Sequence, residues 1–397
     1  MSQTSQIIRI AARGDGVTAD GQHVTHGVPG DVLRADGTLE QGPHHVEPPC
    51  VHFGKCGGCQ LQHADEEALR QFVTERVTFQ AEKHDITIGE LLPTHLSPTK
   101  SRRRATLHAL RTAKGAVLGF REGNSHQIVD LEECHILRTE LTELLQPLRQ
   151  FVARYGRERP VDTELTLVDQ GVDCSIKHLE LEGLEATEAA VEFAQTNGLA
   201  RLTLDQGYGP ETQWEPQPVT ITLSGRPVGM PPGSFLQATQ DGEDALVADA
   251  KAWIGDTASV ADLFSGLGTF AFALANPAKI LAAEASRDAH LACKAAGAGL
   301  PMAAMHRDLF RNPLQPEELN RFEAVLLDPP RAGAKEQIGQ IAASSVNRVV
   351  YISCNPVSWA RDCTKLVEAG FRLEKLRPVG QFRWSTHVEL ASYWTRG

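Results

Sequence analysis

The chain has 397 residues, a formal net charge of -11, and 41% hydrophobic against 22% charged residues, the composition of an ordinary soluble protein with room for two or three domains. The acidic balance excludes a uniform nucleic-acid coat, though not a local basic patch. No apolar run approaches the roughly 18 residues a membrane helix needs, and the polar start MSQTSQIIRIAARGDG has no signal-peptide core, so a cytoplasmic protein with no membrane partner is expected.

Residues 6–33 alternate β-forming residues with Gly, Asp and Pro, which predicts short strands and tight turns, too few for a self-sufficient barrel. Residues 35–49 are polar, carry Pro43, Pro48 and Pro49, and read as a linker. Then comes CVHFGKCGGCQLQHA, with Cys50, Cys56 and Cys59 separated by five and then two residues. Gly57 and Gly58 let the backbone curl so that thiolates converge. Eight cysteines in a chain this long do not make a disulfide scaffold, and in a reducing compartment a cluster points to metal or catalysis. Three such ligands want a fourth: Cys134, in DLEECHIL, is the best placed, with Cys174 an alternative. Zinc and an iron–sulfur cluster both suit these donors, and spacing does not choose between them. A redox pair at Cys56–Cys59 would leave Cys50 without a role.

Residues 64–85 place Leu69, Phe72, Val73 and Val77 at helical spacing. Residues 95–129 carry seven Lys or Arg (Lys100, Arg102, Arg103, Arg104, Arg111, Lys114, Arg121) against the single acid Glu122, a phosphate-binding surface in an otherwise acidic chain. Helices are expected at 139–155 and 184–197 and strands at 161–178 and 199–224, a mixed α/β unit. Pro231, Pro232 and Gly233 mark a turn before a helix from about Asp241.

From Ser259 onward the rhythm is β-α-β-α, which predicts a mostly parallel, doubly wound sheet closed by an antiparallel pair at EKLRPVGQF and HVELASYW. VADLFSGLG is a strand and glycine turn, but not the dinucleotide fingerprint: it lacks the third spaced glycine and has an acid, Asp262, at the strand end. A cofactor without phosphates and with positive charge, S-adenosylmethionine, suits that turn better. Glu284, closing the second strand, can accept from the ribose hydroxyls, and Asp308, after the third, from the adenine amine. Asp328-Pro329-Pro330 ends the fourth strand and Cys354-Asn355-Pro356 the fifth. A cysteine there, with His387-Val388-Glu389 downstream, suggests a nucleophile, a cofactor cradle and a base in one site.

Together these motifs resemble the iron–sulfur-containing RNA uracil-5-methyltransferases, the family of the bacterial ribosomal and transfer RNA 5-methyluridine enzymes. The matching residues are C-x5-C-G-G-C at Cys50, Cys56 and Cys59, then Cys134, SFLQAT at 234–239, DLFSGLGTF at 262–270, DPPRAG at 328–333, SCNP at 353–356 and HVE at 387–389. The resemblance implies a Rossmann-like class I S-adenosylmethionine-dependent methyltransferase domain at 236–397. It further implies a central mixed α/β domain at 49–235, with about 63–95 packing on the catalytic domain, and a short OB-like (TRAM-type) segment at 1–48. It implies a 4Fe-4S cluster on Cys50, Cys56, Cys59 and Cys134. Gln237, Phe264, Gly266, Thr269, Glu284, Asp308 and Asp328 would line the cofactor site, with Cys354 the nucleophile and Glu389 the base. Three departures stand out: the OB-like part stops near Leu33, Thr239 replaces an asparagine in SFLQAT, and Thr269 replaces the asparagine after the glycine turn.

The chemistry follows from uracil itself. Carbon 5 is a weak nucleophile until a thiolate adds to carbon 6, and a base must then remove the carbon 5 proton. The target is expected in RNA, 23S ribosomal RNA first and transfer RNA second, as a looped-out uridine whose backbone the Lys100–Arg104 patch would hold; the protein is expected to be a monomer. Two other readings compete. An amino- or cytosine-directed methyltransferase is disfavoured by Arg331, where such enzymes carry a stacking aromatic. A non-catalytic iron–sulfur or zinc RNA-binding protein would not depend on Cys354.

Overall fold

The computed structural model describes residues 4–123 and 125–397. Five short strands, Ser5–Ile10, Gly16–Thr18, His23–Val24, Val32–Leu33 and Leu39–Glu40, form an antiparallel sheet with the first at its centre. This corrects the expectation that residues 35–49 are linker from their start and that pairing stops near Leu33. Val32–Leu33 pairs with Leu39–Glu40 around a turn in which the Asp36 carboxylate accepts from the Thr38 N–H at 3.0 Å and hydroxyl at 2.6 Å. Strands of two residues have no period to read, so only the turn chemistry betrays them.

The middle of the chain forms a six-stranded sheet, in the order Pro210–Trp214, Leu199–Asp205, Gly171–Lys177, Val161–Val168, Arg104–Thr112, Gly115–Gly119. Its one parallel pair, Gly171–Lys177 with Leu199–Asp205, is joined by the helix Gly183–Thr196, as a parallel connection requires. Cys174 is wholly buried within this sheet, opposite Leu165 and Leu202.

The largest sheet runs in the order Met302–His306, Lys279–Glu284, Ser259–Leu263, Ala324–Leu327, Arg348–Ser353, Glu389–Thr395, Arg372–Gly380, Ile88–Leu91. The first five are parallel, and Glu389–Thr395 is antiparallel to both its neighbours. Ala324–Leu327 is buried at every position, as expected of a strand covered on both faces. The order reverses at Ser259–Leu263, so a crevice opens at the carboxyl ends of the parallel strands. The helix Glu66–Lys83, capped by Asp65, packs through Leu69, Phe72, Val73 and Val77 beside the helix Pro356–Glu368 and strand Arg372–Gly380. Ile88–Leu91 then joins the sheet edge. Under the crevice, the Ser392 hydroxyl donates to the Tyr351 carbonyl and accepts from the indoles of Trp359 and Trp394, all four residues fully buried. This clamp locks the antiparallel register beneath the site. Among the described residues no helix is long and apolar enough to cross a membrane.

Candidate active site

Strand register brings the two ends of the site together. Arg348 through Ser353 pair with Thr395 down to Leu390, and continuing that ladder by one step sets Cys354 opposite Glu389. Asn355 caps the helix Pro356–Glu368 through its side chain, with Pro356 in the first turn, so Cys354 stands at a helix amino terminus. Two donors, the Asn355 amide and the Ser358 hydroxyl, each 3.0 Å from the Arg331 carbonyl, bind the DPPRAG loop to this turn. Gly333 closes that loop at φ +82°, where a Cβ would lie 2.3 Å from the buried Asp362 carboxylate. Asp362 in turn accepts from the Ala334 N–H at 2.7 Å and the Tyr351 hydroxyl at 3.0 Å.

A chain of amides links the two carboxylates. The Gln381 amide donates to Glu389 and, at 2.8 Å, to the Gln237 carbonyl oxygen; the Gln237 amide donates at 3.0 Å to Asp328. Gln237, Gln381 and Glu389 are buried, while Asp328 is half-buried and faces the crevice. Burial, then the nearby Asp328 charge, pushes the Glu389 carboxyl up to about 8, with the Gln381 hydrogen bond opposing. Burial pushes Asp328 up to about 7. The Cys354 thiol is pushed up to about 11 by burial and then by Glu389 and Asp328, while Arg331 pulls it back. Asp262 is completely buried, neither of its oxygens has a hydrogen-bond partner, and burial followed by Asp328 holds its carboxyl well above the ordinary range. Asp262 and Glu389 each feel the Asp328 charge, and Asp262 also that of Glu284, so the acids gathered at these strand ends favour a cation beside them.

The glycine turn shapes the other side. Phe264 stands at φ +61°, a conformation rare for an aromatic residue and retained only where the surroundings enforce it. The Glu284 carboxylate accepts from the Gly266 N–H at 2.9 Å and the Ser286 N–H at 2.6 Å, which fixes the turn and leaves lone pairs free on both oxygens. At Gly268, φ +99°, a Cβ would meet Phe272 at 2.6 Å and the Cys293 sulfur at 2.9 Å. Thr269 begins the helix Thr269–Leu274. Asp308 accepts from the N–H groups of Phe310 and Arg311, and the Phe310 ring stands 5.4 Å from that of Phe264. Thr239 accepts from the Gly242 N–H and so caps the helix Gln240–Ile254; threonine and asparagine both serve that role, which accounts for the departure in SFLQAT.

Cys50, Cys56, Cys59 and Cys134 line one cavity together with Phe53, Gly58, Phe120, Leu131 and Ile136. Cys174 is not among them. Burial pushes the thiols of Cys56, Cys59 and Cys134 upward, Cys59 to about 12. Among the described residues no three His, Cys, Asp or Glu side chains stand as a set for one metal ion.

The basic run 100–104 differs from the expected solvent-facing patch. Arg103 is buried, its guanidinium 2.6 Å from Glu243 and bonded to the Gln237 carbonyl. Arg104 lies over the Phe235 ring and donates to the Leu236 carbonyl. Arg102 lies over the rings of Phe120 and Phe382, between the cysteine cavity and the crevice. The strand alternation turns one arginine inward, and its partner lies 140 residues away. Sequence reasoning also missed Gln381 and Phe310, which sit just outside the motifs and carry no spacing signal.

A tRNA (Uracil-5-)-methyltransferase family model matches residues 302–396. An uncharacterized RNA methyltransferase of Zymomonas mobilis is 50% identical over 394 residues, covering 98% of this chain and 99% of that protein. The 23S rRNA (uracil(1939)-C(5))-methyltransferase RlmD of Erwinia tasmaniensis is 30% identical, covering 94% of this chain and 86% of the relative. In fold, the chain is similar to the Pyrococcus abyssi tRNA (uracil-54, C5)-methyltransferase solved with S-adenosyl-L-homocysteine, with TM-score 0.73, full coverage of both chains and 20% identity.

Proposed function

This chain belongs to the S-adenosylmethionine-dependent RNA (uracil-5-)methyltransferase family, and from that premise we propose that it methylates carbon 5 of one uridine of 23S ribosomal RNA, with Cys354 as nucleophile and Glu389 as base. The carrying observation is the register that sets Cys354 opposite Glu389 beside Asp328, at the crevice edge. The ribosomal target is supported by the name of the Erwinia relative, aligned over nearly the whole chain.

When bound, S-adenosylmethionine supplies an electrophilic methyl group on a cationic sulfur. Gln237, Phe264, Gly266, Thr269, Glu284, Asp308 and Asp328 would hold it, with Glu284 free to accept from the ribose hydroxyls and Asp308 from the adenine amine. Arg331 and the helix amino terminus favour the Cys354 thiolate, which burial opposes. Cys354 gives its thiol proton to solvent and recovers one when it is expelled; in between, the thiolate adds to carbon 6 of the uracil, and the displaced electron pair makes carbon 5 nucleophilic toward the methyl group. Glu389 then takes the carbon 5 proton; the freed pair restores the ring double bond and expels Cys354. The exposed Lys100 and Arg331 would meet the RNA backbone at a looped-out base.

Cys50, Cys56, Cys59 and Cys134 hold a 4Fe-4S cluster. Support comes from the donor set: four thiols on one cavity, which Phe53, Phe120, Leu131 and Ile136 line together with Gln62, Glu133 and His135. Its role is to hold the loops 50–62 and 131–137 against the crevice. We assign 1–48 to a small TRAM-type RNA-binding sheet, 49–235 to the cluster-bearing domain and 236–397 to the catalytic domain of a monomeric cytoplasmic enzyme.

The test is mass mapping of 5-methyluridine in ribosomal and transfer RNA from cells with and without the gene, complemented by wild-type protein or Cys354→Ala. One 23S site lost on deletion, restored by wild type and not by the variant, supports the reading. Loss from transfer RNA alone overturns the target, and restoration by Cys354→Ala overturns the mechanism.

A further inference from the structure

The two-amide bridge between Glu389 and Asp328 has a polarity that its ends dictate. The Gln237 amide N–H is turned toward Asp328 and its carbonyl toward Gln381, the arrangement in which either carboxylate can accept when it is ionised. Gln381 must then donate both ways, to Gln237 and to Glu389, and its own carbonyl accepts from the Thr239 N–H at 3.3 Å. No hydrogen-bond donor of Gln381 is left for a substrate. Its side chain is also packed: a Cβ on Gly242 would stand 3.0 Å from its Cβ and 3.1 Å from its carbonyl oxygen. Gln381 is 2% exposed and Glu389 5% exposed, so the Glu389 end of this bridge is poorly screened by water, while Asp328 at the other end is half-buried.

The charged groups around the pair are unbalanced. Glu389 lies across the ladder from Cys354 and feels Asp328, which ends the strand beyond Arg348–Ser353; Asp262 feels both Asp328 and Glu284. Of the cations, Arg331 acts on Cys354, and the buried Arg103, which donates to the Gln237 backbone carbonyl, is already paired with Glu243. Before a cofactor enters, two acids share one buried, hydrogen-bonded system with too little positive charge for both to ionise.

We propose that Gln381 is a positioning residue which, through Gln237, makes the protonation of Glu389 depend on what occupies the cofactor hollow beside Asp328. A cationic cofactor draws one proton off the Glu389–Asp328 pair into solvent, so the base is ionised only when a methyl donor is present. Methyl transfer turns the sulfonium into a neutral thioether. The pair then regains its preference for one proton, and the proton that fills it is the one Glu389 removes from carbon 5. The count closes: one proton leaves on cofactor binding, one arrives from the ring, and the next binding event discharges it. This rests on the assignment of Glu389 as base and Asp328 as cofactor-facing.

The experiment is calorimetric titration of the full chain near pH 7 with S-adenosylmethionine and with S-adenosylhomocysteine, in two buffers of different ionisation enthalpy, which counts protons without catalysis. Wild type is expected to release up to about one proton with the sulfonium ligand and clearly fewer with the thioether. Glu389→Gln and Gln381→Met are expected to lose most of that release while binding S-adenosylmethionine within about tenfold of wild type. A merely structural Gln381 would change affinity or melting temperature and leave the proton count alone. Equal release with both ligands, or full release by Glu389→Gln, overturns the coupling. In that case, methylation abolished by Glu389→Gln with cofactor binding kept would leave the base assignment standing. No binding of either ligand by wild type would overturn the cofactor assignment together with the coupling.

Discussion

The cysteine cavity and the carboxylate-lined crevice are both half-buried polar sites in one chain, and they are held in opposite ways. The crevice is built at strand ends: ladder register sets Cys354 against Glu389, and hydrogen bonds through Gln381, Gln237, Asp362 and Asn355 tie Glu389, Asp328 and the DPPRAG loop in place. The cavity is built from loops, with backbone links such as Gly57 N–H to the Arg121 carbonyl and Arg102 N–H to the Ile136 carbonyl, and its lining offers four thiols among apolar residues and Gln62, Glu133 and His135. A site of the first kind is prepared before its ligand arrives.

Single cysteine changes break this comparison most sharply. Cys354→Ala is expected to cost at least about 10⁴-fold in methylation, with folding and iron content unchanged. Cys134→Ser is expected to lose the iron, its visible absorbance and several degrees of melting temperature, whereas Cys174→Ser keeps the iron. Iron assay, spectra and thermal melts on anaerobically prepared protein decide between these outcomes. Equal iron content in wild type and Cys134→Ser would remove the cluster from the comparison.

Arg103 tests how far the crevice depends on its frame. Removing one member of a buried ion pair leaves the other charge uncompensated, so Arg103→Met is expected to cost roughly 3–5 kcal/mol in denaturant unfolding. Glu243→Gln in the same background should recover part of that loss.

The two regions should also separate by pH. Glu389, raised to about 8, keeps a proton in the folded chain that the unfolded chain sheds near its ordinary value. Stability of the cofactor-free protein therefore falls as pH rises from about 4.5 to about 8, by at most about 1.4 kcal/mol per pH unit for that group. His63, buried among His26, His45 and Phe53 near the cysteine loop, is pushed down to about 4 by burial, so its contribution falls in the other direction, as pH drops below about 6.5. Glu389→Gln should flatten the alkaline limb of a melting-temperature profile and leave the acid limb. The smallest expected effect is at a cap: Thr239→Ala should cost about 1 kcal/mol, and Thr239→Asn close to nothing, by the same denaturant measurement.

By itself, the sequence determined the kind of machine. Apolar runs at 259–263, 279–284, 324–327 and 348–353, each followed by Gly, Asp, Glu or Cys at its end, specify parallel strands with chemistry at one edge, because strand and helix periods are local properties. Only the tertiary structure decided which polar groups are free to act. Arg103 is spent on Glu243, Gln381 is bound to Gln237 and Glu389, Ile88–Leu91 completes a sheet edge beside Arg372–Gly380, and Leu39–Glu40 pairs where a linker was expected. Each depends on partners brought together by packing, whose energies belong to pairs of distant residues and leave no mark in the local pattern of either one.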